Sequence, residues 1–431
     1  MRGRDIFWAF DENRELLGHP ELLVVGDPFW DRMFIELIFL RDPRKDHLAR
    51  DKEIVFETCQ APARGLGGAF SIAMAWRAFG KVTVCGAVGD DDEGRALARE
   101  ARRQQIGDGL VAEQERSTIV KWRLTPADDP LVPFGRLRVD EECDKRRQEV
   151  CPETEEAILL KIRENFHRCD AVAMMDFEKG SVTDRIVREV ARLCAGSAKP
   201  LLIRPKHDWY KYTRIPATVV SAQSGDAIRA AEARTGYRDP GVARNLIDEL
   251  GKACPLPSYA VVKLGEHGAA FASATETMRV TATEAKPFVH TIHAGDVFDA
   301  YQLVALWLGF DIRQALRLAN LAAGIACTMQ VTEWPTLKEV LRGITGSDCY
   351  RLTSTSRKIL SLFYQGITTT KEIAERRGIS DETVKTQVQL LMNTLGAHQR
   401  ATLLPLAERE GLITPAMKIR VEKLDESLKV A

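Results

Sequence analysis

The chain holds 431 residues, 45% hydrophobic and 28% charged, which suits a globular protein of two or three domains and excludes a disordered or collagen-like chain. Its 61 Lys plus Arg equal its 61 Asp plus Glu, so bulk charge gives no sign of a histone-like polyelectrolyte. No apolar run reaches the roughly 18 residues a membrane span needs. Residues 1–20 carry Asp5, Asp11, Glu12 and Glu15, unlike a secretory leader. Nine cysteines (Cys59, Cys85, Cys143, Cys151, Cys169, Cys194, Cys254, Cys327 and Cys349) are scattered without a CxxC pair. That usage predicts reduced thiols in a cytoplasmic protein, with no zinc site and no disulfide framework.

Leu22–Gly26, an apolar run ending in glycine, opens a series of buried-strand patterns continued by Val82–Val88, Ala171–Met175, Leu201–Ile203 and Tyr259–Val262. Amphipathic stretches separate them; Thr183–Cys194 puts Ile186, Val187, Val190 and Leu193 on one helical face. Strands apolar on both faces, alternating with helices, predict an α/β fold with a parallel sheet flanked by helices. Within Arg32–Gln60, Phe34, Ile35, Leu37, Ile38 and Phe39, then Ile54–Phe56, flank a charged loop, the pattern of a small β flap. Farther on, His293-Ala-Gly-Asp296 leads into the apolar helical stretch Val297–Leu308. A glycine-bearing turn entering a helix offers N–H groups at the positive end of the dipole, which suits a phosphate. An aspartate there can accept a hydroxyl proton during phosphoryl transfer. Taken alone, the tetrapeptide reads more readily with Asp296 as a plain helix cap.

After Trp334-Pro335 the pattern changes to a short helix, Leu337–Arg342, and a polar glycine-containing linker. We place the α/β domain at 1–342, the linker at 343–350, an all-α module at 351–413 and a charged helical tail at 414–431. In the module, Ser354 is a candidate N-cap for a helix carrying Ile359, Leu360, Leu362 and Phe363, ended by Gly366. Thr370–Arg377 forms a second helix stopped by Gly378. Ser380–Thr383 caps a third, buried through Val384, Val388, Leu391 and Leu395. A short helix, a glycine turn and a second helix make a helix-turn-helix, which places its second helix in the DNA major groove. Three-helix bundles are also often purely structural.

The order of features in the first domain resembles the ribokinase-like (PfkB) carbohydrate kinases, and within them the heptose-phosphate kinase branch. Val24-Val-Gly-Asp27 with Asp31-Arg32 is similar to the branch's opening strand and first sugar contacts, and Gly67-Gly68-Ala69 with Ser71 to the sugar-binding glycine pair. Thr118–Lys121 with Arg138–Glu142 resembles a strand pair of that branch. Asp176–Gly180, Pro205-Lys206, Lys263–Gly268 and Asn320–Gly324 follow in the family's order, so the resemblance spans roughly 15–342. It implies Asp296 as catalytic base, and His293, Ala294 and Gly295 as the anion hole. Asp27, Asp31, Gly67, Gly68, Ser71, Lys179 and Arg204 become sugar contacts. Gln223, Asp226, Lys263, Gly265, Gly268 and Asn320 form the nucleotide side, with ATP and Mg2+ as cofactors if the domain is active.

Departures from the family pattern bear on that activity. His293 replaces the first glycine of Gly-Ala-Gly-Asp, His290 an acidic residue near the monovalent-cation site, and Ser71 a sugar-contacting Asn. Arg204 stands where the heptose branch has Asp before Pro-Lys, and Gln223-Ser-Gly-Asp226 replaces Asn-x-x-Glu. Five changes together imply weakened or lost phosphoryl transfer. His290 and His293 have no third metal ligand nearby in sequence, so no metal site is expected. With Arg204 they predict an anionic ligand.

The all-α module resembles the LuxR-type DNA-binding domain through Leu352-Thr, Gly366, Lys371–Ala374, Gly378–Ser380, Thr383–Lys385 and Leu395-Gly396. By that resemblance Lys385, Thr386 and Gln389 face base edges, while Lys371 and Thr383 contact phosphates, which fix register rather than sequence. Gln387 stands in place of a usual His and Thr394 of a usual Lys. Arg400–Glu410 resembles the helix through which such modules pair. The expectation is a homodimeric transcriptional regulator whose kinase-like domain senses a sugar, sugar phosphate or nucleotide. An active sugar kinase with a regulatory DNA-binding tail, and an assembly protein whose tail is only an interaction module, are the alternatives. The charge balance divides accordingly: residues 344–431 hold 13 Lys and Arg against 10 Asp and Glu, leaving the remainder mildly acidic.

Overall fold

The computed structural model describes residues 20–41, 55–57, 63–126, 137–141, 149–207, 210–212, 215–227, 259–273, 277–280, 290–329, 333–340, 354–395, 397 and 399–405. The expected linker 343–350, the tail 414–431, and Cys59, Cys143, Cys254 and Cys349 lie outside them. The chain divides into two compact units, one spanning His19–Pro335 and one taking in the chain from Thr336 onward.

The first unit's strands begin with β1 (Glu21–Gly26), β2 (Pro28–Arg41), β3 (Val55–Glu57), β4 (Ala63–Gly68), β5 (Lys81–Gly89), β6 (Gly107–Glu113), β7 (Val120–Pro126) and β8 (Leu137–Glu141). They continue with β9 (Ala171–Met175), β10 (Leu201–Arg204), β11 (Val219–Gln223), β12 (Tyr259–Lys263), β13 (Ala269–Ala272) and β14 (Thr277–Val280). Among the described residues nine of these form one sheet in the order β14-β13-β12-β11-β10-β9-β1-β5-β6. Every pairing from β6 to β12 is parallel, and only the β12-β13-β14 edge is antiparallel. Each apolar run singled out in the sequence is a strand of this sheet. They read as continuous apolar stretches because both faces are covered: Val24, Val25, Val172, Ala173 and Met174 are all fully buried. Each such Val or Met side chain contributes about 1.5–3 kcal/mol.

Helices α1 (Ala69–Trp76), α2 (Asp92–Arg103), α3 (Pro152–Phe166), α4 (Asp184–Ala195), α5 (Ala294–Trp307) and α6 (Ile312–Ala326) cover the sheet. Local chemistry sets their starts. The Thr183 hydroxyl accepts the Ile186 N–H at 3.2 Å, and Asp311 forms a capping box with Gln314 at the head of α6. The flap is present as a second sheet in which β2 pairs with β3, β4 and β7, and β7 with β8. Its inner register places Asp31 opposite both Gly65 and Lys121. Gly68, with a φ of 64°, turns the chain from β4 into α1, and a Cβ there would stand 2.1 Å from the Asp27 carbonyl oxygen.

The second unit contains helices α7 (Ser354–Tyr364), α8 (Thr370–Arg377) and α9 (Asp381–Leu395) around Ile359, Leu360, Phe363, Ile373, Val384, Val388 and Leu391. Ser354, expected to precede its helix, is instead the first residue within α7. Thr369 caps α8 in a reciprocal box with Glu372, and Gly378 ends it in the left-handed conformation. The Ser380 hydroxyl accepts the Thr383 N–H at 3.2 Å, starting α9 where the sequence indicated.

Candidate ligand cleft and nucleic-acid interface

The candidate ligand cleft is outlined by residues at the carboxyl ends of β1, β10, β11 and β12 and by the flap strands β2, β4 and β7. Asp27, at the end of β1, is buried, and its carboxylate accepts backbone N–H groups from Phe177, Lys179 and Ser181 at 2.9–3.0 Å. Burial, then the neighbouring Asp176, raises its pKa against these bonds. Expected as a sugar contact, Asp27 here holds the loop after β9. Lys179 is part of that loop, and its carbonyl accepts from Arg116 at 2.9 Å. Asp31 faces the cleft beside Gly67, where a Cβ would come within 2.6 Å of its carboxylate, and pairs with Arg123 at 2.9 Å. Ser71 is buried in α1 next to the glycine pair.

Lys121, assigned no site role from sequence, belongs to this wall. It is 6% exposed, its ammonium lies 3.9 Å from the Phe29 ring centroid, and burial lowers its pKa to about 8 against the pull of Asp140 and Asp31. Among the described residues it has no carboxylate within ion-pair distance.

The sharpest rearrangement is at the head of α5. His293 occupies the position before the helix in the left-handed conformation, φ 62°, which a glycine adopts without cost and other residues do not. Its ring packs on Trp334 at 4.7 Å between centroids, and its Nδ1 is 3.7 Å from Asp296. The amides of Ala294 and Asp296 already donate within the turn, to Thr291 at 3.4 Å and His293 at 2.9 Å. Arg204, at the end of β10, pairs with Asp296 and also lies 3.5 Å from Asp299. Asp299, fully buried one turn along α5, further accepts from Lys263 and Ser221, both at 2.6 Å. A Cβ on Gly295 would stand 2.9 Å from the Gln223 amide nitrogen and 3.6 Å from an Arg204 nitrogen. Gln223 and Arg204 therefore crowd the outer side of this turn. Burial alone would raise the Asp296 carboxyl, but Arg204, then His293 and Lys263, hold it at about 2. Burial brings Lys263 down to about 8 despite Asp299.

Arg204 was expected to attract an anionic ligand; two internal carboxylates meet its charge instead. The sequence also missed Asp299 as the hub of this cluster, although it is three residues from Asp296 on the same helical face. Of the residues expected on the nucleotide side, Asp226 is paired with Lys206 at 2.7 Å, Gly265 and Gly268 make the turn between β12 and β13, and Asn320 donates to the Val280 carbonyl at 3.5 Å. His290 is buried, its backbone N–H bound to the Cys327 carbonyl at 3.3 Å. Among the described residues no cluster of three or more His, Cys, Asp or Glu could hold a metal ion. Cys85, Cys151, Cys169, Cys194 and Cys327 are free thiols.

In the second unit, Lys385, Thr386 and Gln389 project from α9 opposite the buried Val384, Val388 and Leu391, and all three are exposed. Lys385 makes a surface pair with Glu382 at 3.1 Å, and Thr386 donates to the Glu382 carbonyl at 3.0 Å. Lys371 and Thr383 are exposed at the starts of α8 and α9. Gln387 accepts from Arg377, tying α8 to α9. The expected helix from Arg400 begins as a 3-10 turn, Arg400–Thr402, and its residues after 405 lie outside the described set.

Comparison with known proteins identifies both units. Residues 42–336 match the pfkB family of carbohydrate kinases. The chain belongs to that family. Residues 351–407 match the luxR family of bacterial regulatory proteins, so a pfkB domain and a luxR module share one chain. The bifunctional protein HldE of Sulfurimonas denitrificans is 28% identical over 309 residues, covering 71% of this chain and 60% of that protein. HldE of Caulobacter sp. (strain K31) is 27% identical over 324 residues, covering 74% and 62%. The chain thus spans about 60% of the length of the first of these relatives. Among solved structures, a putative ribokinase from Agrobacterium tumefaciens superposes with a TM-score of 0.59 at 20% identity, over 76% of this chain and 98% of that one. Arabidopsis thaliana ribokinase, complexed with ribose and ATP, gives 0.56 at 19% identity, over 76% and 100%. These establish the ribokinase-like fold of the pfkB domain. Among the described residues no helix is long and apolar enough to cross a membrane.

Proposed function

We propose that this protein is a DNA-binding transcriptional regulator whose pfkB domain binds a sugar or sugar phosphate without phosphorylating it. The ion pair between Arg204 and Asp296 carries this reading. A general base must meet the substrate hydroxyl with a free carboxylate of suitable pKa; Asp296 is turned to a buried guanidinium and held at about 2. The same guanidinium stands beside Gly295, where the transferring group of ATP would be cradled. The residues at this turn do not fit a phosphoryl group in transit, so no transfer step is assigned to them.

Ligand binding is a separate matter. Asp31, Gly67 and Lys121 remain gathered on the flap strands, with Ser71 at the start of α1, and the buried ammonium of Lys121 favours a ligand with an anionic substituent. The exposed Lys385, Thr386 and Gln389 supply base-edge contacts, and Lys371 and Thr383 supply phosphate contacts. Pairing of two copies would match a two-fold operator. A working kinase with a DNA-binding tail is the competing account, favoured by retention of Asp296 itself.

A phosphoryl-transfer screen of the purified full chain, with ATP and Mg2+ over sugars and sugar phosphates, separates them. The regulator reading expects ligand-induced thermal stabilisation and no turnover. Turnover abolished by Asp296→Asn would establish the kinase.

A further inference from the structure

A second cleft opens in the pfkB domain, about 230 Å³ in volume. Of the residues expected to hold sugar, phosphate or nucleotide, its lining includes His293 alone. Its floor is Met33, Leu66 and Met74, three apolar side chains of which two are adaptable thioethers. One wall is the packed ring pair of His293 and Trp334, tilted at 35°. The rim is cationic in excess. Arg103 and Gln104 both bond to Glu100, at 2.7–2.8 Å, whereas exposed Arg64 meets no carboxylate among the described residues. An apolar floor, an aromatic wall and one unanswered guanidinium at the mouth define the ligand by its chemistry.

We propose that this cleft is a separate effector site for a small planar molecule bearing one anionic group, its ring on Trp334 and its anion on Arg64. The volume admits a compact metabolite rather than a nucleotide triphosphate. Trp334 gives such a site a direct route to the rest of the chain. It stands two residues before Thr336, where the second compact unit begins, and the following Pro335 carbonyl is held by the Tyr301 hydroxyl at 3.2 Å. An occupant therefore touches the stretch of backbone that leads to the DNA-binding module. The same occupant presses on His293, three residues before Asp296, so the cleft reports on both the altered turn and the connection. The site stands whether or not the main cleft transfers phosphate.

The test is a titration of the full chain with para-nitrobenzoate, a planar anion that quenches tryptophan emission, with para-nitrobenzyl alcohol as the neutral control. Saturable quenching by the acid is expected, with binding of the alcohol at least tenfold weaker. Arg64→Glu, at an exposed position, weakens the acid at least tenfold. Trp334→Phe removes most of the saturable quenching while calorimetry still records binding. Lys121→Ala, in the main cleft, leaves the affinity unchanged. Non-saturable quenching overturns the proposal, as does saturable binding that Arg64→Glu spares and Lys121→Ala abolishes. The titration contains neither nucleotide nor DNA, so its failure is distinguishable from failure of the regulator reading.

Discussion

Removing the Arg204 guanidinium should destabilise the pfkB domain severely, because it strips a buried cation from two buried carboxylates. Arg204→Ala leaves Asp296 and Asp299 facing Lys263 and His293 alone. Breaking a buried pair by deleting one partner costs about 3–5 kcal/mol. Depression of the Asp296 carboxyl from 3.8 to about 2 accounts for on the order of 2 kcal/mol of that. Because the folded value is the lower one, this contribution is complete above about pH 4 and is lost as pH falls toward 2. Six of the seven tryptophans, Trp30 to Trp334, lie within His19–Pro335, so thermal unfolding followed by tryptophan emission reports chiefly on this domain. The midpoint should fall by about 6–10 °C at neutral pH, and the double variant Arg204→Ala with Asp296→Asn should recover much of the loss. A fall of less than about 2 °C, or a double variant no better than the single one, would refute the ion pair as the organiser of this site.

Three further outcomes follow from named contacts. Lys121 has its folded pKa lowered to about 8 from 10.5, so between those values the unfolded chain binds the proton that the native state has released. Stability of the pfkB domain should therefore rise from pH 8 toward 10.5, and Lys121→Met should be more stable at neutral pH with a visibly smaller rise. Thr369→Ala removes the capping box of α8 and should destabilise the luxR module by about 1 kcal/mol, read from its helical circular dichroism on heating. Lys385→Ala or Gln389→Ala should each weaken specific DNA binding by about tenfold, as for loss of one base contact, without changing that melting profile.

Much of the architecture was legible because burial on both faces of a parallel sheet leaves a one-dimensional trace. Leu22–Gly26 and Ala171–Met175 could only be buried, and Gly378 and Ser380 marked where α8 ends and α9 starts. The flap was legible from apolar stretches flanking a charged loop but not in its pairing, since β2 exchanges partners along fourteen residues. At the site, the sequence revealed which residues were altered and not what the alterations do to one another. Arg204 read as bait for an anion because Asp296 lies 92 residues away, and only folding shows that one answers the other. Trp334 read as a boundary marker, whereas it forms a ring wall with His293. Lys121 was visible as a strand residue, but its burial over Phe29 depends on β7 pairing in parallel with β2 within the flap.

The central claim is that this chain reads DNA sequence under the control of its pfkB domain. Selection of bound fragments from a genomic library by the purified full chain, at moderate salt so that phosphate contacts alone do not dominate, tests it most directly. The account predicts a small set of fragments sharing a two-fold related motif, lost when Lys385 and Gln389 are both replaced by alanine. Uniform recovery of fragments, or recovery indifferent to those two substitutions, would contradict it.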